Sequence, residues 1–328
     1  MLGMEELKEI IEITETTVEC PVKDCSEKVE RQREVFKREE RFKCPKHNIY
    51  ISPTTFEYSS EAENLLWTDA GDKDLLDKIK LVKRECRMIR DNSEDAVTWN
   101  VFRFLEKNAL VNNVLSSIAK ISLTSSSVIY WSYSQEESHS YSELDKARIL
   151  FGEEICKSSE PDIIIETDRV LFFIEAKLTA NNETPSKKDI DKIIENPKKY
   201  TTGGENWFDS VFTSDYKTII RKQKYELLRF WLLGTWIAKQ RGLDFYLINL
   251  VLSDREKNIE PIFRKHINET QNRKFLRITW EDICKHIMDS TLHRDKDSMI
   301  RYFKNKTIGY EVNEKLHIGK LQRAFSIL

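Results

Sequence analysis

Residues 161–177 read PDIIIETDRVLFFIEAK, and this stretch decides the fold. A Pro-Asp pair opens one β-branched run, a polar turn reverses the chain, and a second apolar run ends in Glu-Ala-Lys. The two runs predict a β-hairpin that is apolar on both faces, as in strands buried in the middle of a sheet. A turn centred near Asp168 places Asp162 opposite a residue between Phe173 and Glu175.

Charged side chains meet at one end of this hairpin. Side chains alternate along a strand, so Glu175 and Lys177 project from one face while Ala176 points to the other. Asp162 reaches the same end from the neighbouring strand. Two carboxylates and an ammonium at the edge of a buried sheet predict a site for a divalent cation. The alternative is an edge hairpin that carries a surface ion pair.

The stretch resembles the PD-(D/E)XK nuclease superfamily, whose signature is matched position by position by Pro161, Asp162, Glu175 and Lys177. The resemblance implies an α/β fold with a restriction-endonuclease-like αβββαβ core and a mixed central sheet. It implies a Mg²⁺ or Mn²⁺ site formed by Asp162, Glu175 and the backbone carbonyl of Ala176. Lys177 would orient or deprotonate the water that attacks a phosphodiester, because a bound cation lowers the pKa of that water and shields developing charge.

The resemblance also implies an acidic residue on the first core helix, facing the hairpin carboxylates. Periodicity predicts that helix over residues 92–108. Glu94 precedes Val97 by three positions and shares its core-facing stripe, whereas Asp95 is rotated by about 100° from it. We therefore expect Glu94 to join the site. Asp95 is the alternative, and acids in a first helical turn are also favoured by the helix dipole regardless of function.

A second candidate site lies near the N-terminus. Cys20 and Cys25 form one pair (CPVKDC), and Cys44 and His47 form another (CPKH), with 18 residues between the pairs. Such paired ligands suit tetrahedral zinc. The segment between the pairs is too polar to form a core of its own, so a metal-held hairpin explains its order. The pattern looks like a zinc-ribbon module with one structural Zn²⁺, and the alternative is buried cysteines with a surface histidine.

The remaining cysteines and the composition narrow the class of protein. Cys86, Cys156 and Cys284 are isolated and are expected to behave as small core residues. Lys and Arg total 53 against 55 Asp and Glu, so the overall charge does not indicate a nucleic-acid binder, and any phosphate-binding surface must be local. The chain has no apolar run of membrane-spanning length and no signal-peptide pattern at its start, which predicts a cytoplasmic protein.

Periodicity predicts further elements and three regions. The elements are a helix from Asp72 with an apolar stripe to Ile89, a strand over 128–134, a helix over 142–154, a buried helix over 221–242 and a buried strand over 244–253. The regions are a zinc-ribbon-like module (1–60), a connecting basic helix (61–91) and a nuclease domain with a C-terminal extension (92–328). The basic face of the connecting helix is either a solvated surface or a DNA-backbone contact.

These patterns lead to one hypothesis and two alternatives. The hypothesis is a metal-dependent DNA endonuclease whose zinc module aids substrate recognition. The first alternative is a non-catalytic DNA-binding or scaffolding protein on a nuclease-like fold, since fold does not dictate function. The second is that the zinc module binds protein and directs the nuclease to a larger complex. DNA is the expected partner, a homodimer is left open, and no membrane partner is expected.

Overall fold

A computed structural model describes residues 1–83, 86–155, 158, 160–183, 187–195, 200, 203–291 and 295–327, with residue 189 described for its backbone alone. In these ranges the chain is a mixed α/β protein with a seven-stranded central sheet. Contacts divide it into two compact units. The terminal unit comprises residues 1–69, 86–108 and 280–328, and the sheet unit comprises residues 70–85 and 109–279.

The strands and helices of the described residues follow in chain order. The strands are β1 (Ile10–Glu12), β2 (Thr17–Glu19), β3 (Lys28–Glu30), β4 (Ile49–Ile51), β5 (Phe56–Tyr58), β6 (Ser126–Tyr130), β7 (Tyr133–Ser134), β8 (His139–Ser140), β9 (Ile163–Thr167), β10 (Val170–Ala176), β11 (Asp244–Val251), β12 (Arg273–Thr279), β13 (Thr307–Asn313) and β14 (Ile318–Arg323). The helices are α1 (Ala70–Val82), α2 (Glu94–Lys107), α3 (Val111–Ala119), α4 (Ser142–Leu150), α5 (Lys187–Ile194), α6 (Trp207–Val211), α7 (Tyr216–Arg221), α8 (Tyr225–Arg241), α9 (Ile259–Arg264), α10 (Trp280–Asp289) and α11 (Lys296–Asn305). Short 3₁₀ turns lie at Leu2–Met4, Glu40–Phe42 and Glu61–Asn64.

The central sheet lies in the sheet unit, with strand order β12-β11-β10-β9-β6-β7-β8. Strands β10, β11 and β12 are parallel to one another, whereas β9 is antiparallel to both β10 and β6. Every residue of β10 is buried, as its continuous apolar sequence requires of a strand covered on both faces. The predicted hairpin at 161–177 is therefore confirmed.

The register of the hairpin also follows the prediction. Ile174 pairs with Ile163, so the next position along each strand places Asp162 opposite Glu175. The Thr167 hydroxyl closes the turn by accepting a 2.8 Å hydrogen bond from the N–H three residues later. This turn and the burial of both strands fix the register, because a slip of one residue would turn every side chain to the other face.

Helix α8 packs against β10 and β11. A Cβ atom at Gly234 would lie 2.1 Å from Phe245 Cε2, so a residue without a side chain permits this close approach of helix to sheet. The helix predicted over 221–242 is α8, which begins at Tyr225, and the shorter helix α7 ends before it at Arg221. The chain breaks between them at Gln223, where φ is 61°, a left-handed conformation that interrupts a right-handed helix.

The helix predicted to continue to Ile89 ends at Val82 instead. The residues near Ile89 make hydrogen bonds to another segment in place of helical ones. The Tyr58 N–H donates to the Ile89 carbonyl at 3.0 Å, and the Asp91 N–H donates to the Phe56 carbonyl at 2.9 Å. Pairing with β5 therefore replaces the last turns of the predicted helix.

Two further elements differ from the prediction. The strand predicted over 128–134 is a hairpin of β6 and β7, because Trp131 and Ser132 have φ values of 44° and 70° and reverse the chain. The helix predicted over 142–154 ends at Leu150. Gly152 follows it with φ 67°, the left-handed conformation that commonly ends a helix.

The terminal unit joins both ends of the chain. Strands β1, β14 and β13 form a three-stranded sheet, and β2–β3 and β4–β5 form two separate hairpins. Residues 280–328, expected to extend the domain that holds the 161–177 hairpin, group with the N-terminal residues because β14 pairs with β1. Helix α2 belongs to the same unit, with the predicted core face buried and with Ser93 accepting from the Ala96 N–H at 3.0 Å.

A fully buried ion pair lies in the terminal unit. Asp91 accepts hydrogen bonds from Lys306 Nζ at 3.2 Å and from the Tyr58 hydroxyl at 2.6 Å. The Thr307 hydroxyl donates to its second oxygen, and Lys306 also donates to Asn64 Oδ1 at 3.0 Å. The charges satisfy each other and the surrounding polar groups, which buried ions require. Segments from both ends of the chain are thereby held together.

No helix of the described residues is long and apolar enough to cross a membrane.

Removing one member of the buried Asp91–Lys306 pair should strongly destabilise the protein. In Lys306→Met the Asp91 carboxylate loses its cation while staying out of water, so we expect the free energy of unfolding to fall by about 3–5 kcal/mol. Urea unfolding measures the change. The control is Lys23→Met, because Lys23 pairs with Glu6 at an exposed position and its loss should leave the midpoint unchanged. Equal stabilities for the two variants would contradict this role of the buried pair.

Candidate functional site

Asp162 is held at the end of the sheet by three hydrogen bonds. Its Oδ2 accepts from the Ala176 N–H at 2.8 Å, and its Oδ1 accepts from Trp131 Nε1 at 3.1 Å. Its backbone carbonyl accepts from the Trp131 N–H at 3.0 Å. The carboxylate is therefore oriented through both of its oxygens.

Glu175 lies beside it and is 3 % exposed. Its Oε1 accepts from Lys177 Nζ, whereas its Oε2 has no hydrogen-bond partner among the described residues. Burial raises the pKa of Glu175 well above its ordinary range; the Lys177 charge opposes the rise, and the Asp162 and Glu226 charges add to it. A proton or a bound cation would satisfy this buried carboxylate oxygen.

Glu226 is a site residue that sequence reasoning missed. It lies in the first turn of α8, and its Oε2 is 3.5 Å from Lys177 Nζ. Lys177 thus lies between a buried carboxylate and a half-exposed one. The only sequence signal is an acid at the start of an otherwise apolar helix, and the helix dipole explains such an acid equally well.

A polar network adjoins the site at the ends of the parallel strands. Asn249 pairs with Glu175 across β10 and β11 and is fully buried. Asn182 Nδ2 donates to Asn249 Oδ1 at 2.6 Å and to Glu256 Oε2 at 2.7 Å. Lys224 Nζ donates to the Asn182 carbonyl at 3.1 Å. The network ties the loop after Lys177 to the neighbouring strand, and a lone Asn inside the apolar strand 244–251 was its sequence signal.

The tight turn at Trp131 brings strained backbone to the site. Trp131 and Ser132 both have positive φ, which costs a non-glycine residue on the order of 1–3 kcal/mol. Lys83 Nζ lies 4.4 Å from the centre of the Trp131 ring. Burial raises the pKa of nearby Glu160 to about 7; the Lys83 and Arg148 charges oppose the rise. Sequence reasoning missed the role of Trp131 because it predicted one continuous strand over 128–134, and it did not single out Glu160.

Two side chains with oxygen ligands lie opposite each other at the end of the hairpin. Asp162 and Glu175 carry carboxylates, and the backbone of Ala176 runs between them. Mg²⁺ prefers such ligands and keeps several waters, so two carboxylates suit it. Within the described ranges, the one cluster of three or more Cys, His, Asp or Glu ligand atoms close enough to hold an ion is the Cys/His cluster below. A divalent cation at Asp162 and Glu175 stays a prediction.

The structure places Glu94 in the first turn of α2, within the terminal unit, whereas Asp162 and Glu175 belong to the sheet unit. Asp95 accepts a hydrogen bond from the Arg87 N–H at 3.0 Å, which gives that carboxylate a local partner. A role for Glu94 at the hairpin stays a prediction.

The N-terminal Cys/His cluster is assembled as the spacing predicts. Ligand atoms of Cys20, Cys25, Cys44 and His47 all lie within 4.8 Å of one another. The first pair lies in the loop between β2 and β3, and the second pair immediately precedes β4. Lys8 Nζ donates to the carbonyls of Cys20 at 3.1 Å and Cys25 at 2.5 Å, which fixes the first loop. These four residues could bind a metal such as zinc.

The distances suit a tetrahedral ion. Zinc with sulfur ligands at about 2.3 Å and nitrogen ligands at about 2.0 Å separates its ligand atoms by about 3.5–3.8 Å. His47 Nδ1 is 3.5 Å from Cys20 Sγ and 3.6 Å from Cys44 Sγ, and Cys25 Sγ is 3.9 Å from Cys44 Sγ. Burial raises the pKa of the Cys20 thiol, so this thiol becomes a thiolate ligand when a cation compensates its charge.

The isolated cysteines lie apart from this cluster. Cys284 is buried, as expected of a core residue, and Cys86 is half-buried. Cys156 lies outside the described residues.

No protein-family model, no curated protein and no solved structure matches this chain. Its function is therefore inferred from the residues of the two sites.

Purified protein should contain about one equivalent of zinc, because four ligand atoms lie within 4.8 Å of one another. Cys44→Ala should lose the metal, and elemental analysis measures it. Cys284→Ala removes a buried thiol outside the cluster and should keep the full equivalent. Zinc content that is the same in both variants would refute the assignment. We expect the central sheet to survive loss of zinc, since its apolar strands do not depend on the cluster.

Proposed function

We propose that this protein is a divalent-metal-dependent nuclease that hydrolyses phosphodiester bonds, acting as a DNA endonuclease. The observation that carries the proposal is the buried Glu175 carboxylate, which has one oxygen without a partner beside Asp162 and Lys177. Burying a polar atom without a partner is costly, and a bound cation would satisfy this oxygen.

Strand connectivity supports a restriction-endonuclease-like core. Strands β6, β9 and β10 are joined antiparallel, and β11 then pairs parallel to β10 after helix α8. A meander followed by a crossover helix and a parallel strand is the βββαβ part of the proposed αβββαβ core. Ligand sites in sheets with parallel strands commonly lie at the carboxyl ends of those strands, where Glu175 and Lys177 occur.

Each residue of the site has a role in this proposal. Asp162, Glu175 and the carbonyl of Ala176 would hold Mg²⁺ or Mn²⁺, which when bound lowers the pKa of water and shields charge on the phosphate. Lys177 supplies a positive charge and a proton-transfer group close to both carboxylates. Glu226, 3.5 Å from the Lys177 ammonium, keeps that ammonium oriented when Glu175 is engaged elsewhere.

The Cys/His cluster is proposed to hold a structural zinc ion and to aid substrate recognition. Zinc would fix the loops that carry the ligands. These loops display the exposed Lys23 and Lys46, which pair with Glu6 and Glu27 and would exchange these partners for phosphate. Exposed lysines on a rigid loop can contact a phosphate backbone. DNA is the proposed partner for this reason.

Substitution at the hairpin should abolish cleavage without unfolding the protein. Asp162→Asn and Glu175→Gln keep the shape of the side chain but remove the charge that holds the cation. Lys177→Ala removes a group that assists proton transfer. Each substitution should lower the cleavage rate by at least about 100-fold. Supercoiled, linear and single-stranded DNA, with and without Mg²⁺, provide the substrates. The matched control is Asp168→Asn, an exposed acid in the turn of the same hairpin, which should cleave normally.

The outcome separates the proposal from its alternative. Metal-dependent cleavage that Glu175→Gln retains in full would refute the site. DNA binding by the unsubstituted protein without cleavage in Mg²⁺ or Mn²⁺ would favour a non-catalytic DNA-binding protein on this fold.

Glu94 has its own test, which rests on the sequence resemblance. Glu94→Gln should lower cleavage most at limiting Mg²⁺, because loss of a carboxylate that helps hold a cation is offset by raising the cation concentration. Asp95→Asn is the control, since Asp95 already accepts a hydrogen bond from Arg87. The Mg²⁺ dependence of the initial rate measures both effects. If Glu94→Gln follows the unsubstituted curve, the site consists of the hairpin residues without Glu94.

A further inference from the structure

We propose that Trp131 is a positioning residue, which holds the Asp162 carboxylate in the orientation that binds the divalent cation. The inference rests on the proposed function, because it assigns Asp162 to a cation.

The hydrogen bonds provide the first argument. One residue donates twice to Asp162, from its backbone N–H to the carbonyl at 3.0 Å and from its indole to Oδ1 at 3.1 Å. The Ala176 N–H holds Oδ2 at 2.8 Å. Rotation of the Asp162 side chain would break at least one of these bonds. Partners of this kind orient metal-binding carboxylates and raise metal affinity.

The backbone of the turn provides the second argument. Trp131 and Ser132 form a two-residue hairpin with φ values of 44° and 70°. Turns with positive φ at both positions are usually made by Asn-Gly or Asp-Gly, which adopt this conformation readily. Here the first position holds a tryptophan instead, and its side chain points to Asp162. Strain kept at a residue with a specific polar contact is a sign of function.

The surroundings of the ring provide the third argument. Trp131 is 1 % exposed, so its indole N–H has no access to bulk water and depends on Asp162 as acceptor. Lys83 Nζ lies 4.4 Å from the ring centre, at cation–π distance. A cation over the ring holds its plane and draws electron density from the indole, which makes the N–H a stronger donor.

The competing explanation is that Trp131 only fills space. Trp131→Phe separates the two roles, because phenylalanine keeps an aromatic ring but lacks the indole N–H. Trp231→Phe is the matched control. Trp231 is also fully buried in the sheet unit, and its Nε1 donates to the Val211 carbonyl at 2.9 Å instead of to a site residue.

The experiment is calorimetric titration of the zinc-loaded full chain with Mn²⁺, so that no activity is needed. Only the Mn²⁺ binding that is lost in the Asp162→Asn variant is attributed to the site. Trp131→Phe should weaken that binding by about 10- to 100-fold, whereas Trp231→Phe should bind like the unsubstituted protein. Unchanged affinity in Trp131→Phe overturns the positioning role while leaving the cation site intact. Absence of any Asp162-dependent Mn²⁺ binding refutes the proposed function, and the inference with it.

A second measurement keeps Trp131 in place, so its result does not depend on whether the Trp131→Phe variant folds. In the protein labelled with ¹⁵N at its indoles, the Trp131 N–H resonance should shift when Mg²⁺ is added and when Asp162 is replaced by Asn. The Trp231 resonance should stay in place in both cases. A Trp131 resonance that responds to neither change would overturn the proposal.

Discussion

Burial of the β9–β10 hairpin on both faces is the constraint on which the sheet unit depends. All seven residues of β10 are buried, so the strand has no face on which a shifted register could be tolerated. The fixed register brings Asp162 and Glu175 opposite each other, although like charges repel. The geometry of the candidate site is therefore a consequence of hydrophobic burial, which holds the acidic groups in place against their own electrostatics.

Polar groups at the carboxyl ends of the parallel strands offset part of this electrostatic repulsion. Lys177 compensates Glu175 directly, and Asn249 carries the polar network one strand further. The edge is polar because strands end there and loops bring backbone and side-chain donors into reach. Glu175 is thus buried beside one ammonium and near the Asp162 and Glu226 carboxylates, whose charges add to the rise of its pKa.

The terminal unit is ordered differently, since its strands are short and its sequence is polar. It combines a hydrophobic core, which includes Ile11, Ile51 and Phe56, with two compact polar centres, the Asp91–Lys306 pair and the Cys/His cluster. The ion pair joins segments from the two ends of the chain, and the cluster joins two loops of the N-terminal hairpins.

The sequence by itself determined the 161–177 hairpin and the assembly of the four Cys/His ligands, and it narrowed the residue opposite Asp162 to Phe173, Ile174 or Glu175. These features depend on alternation and spacing over a few residues, and local geometry converts such spacing directly into shared faces. Only the tertiary structure decided the end of α1, the turn at Trp131 and the approach of Glu226 to Lys177. Each of these depends on packing between segments distant in the chain, such as β5 against the residues after α1. Local periodicity carries no information about which distant backbone will compete for a hydrogen bond, so packing settled what the sequence pattern left open.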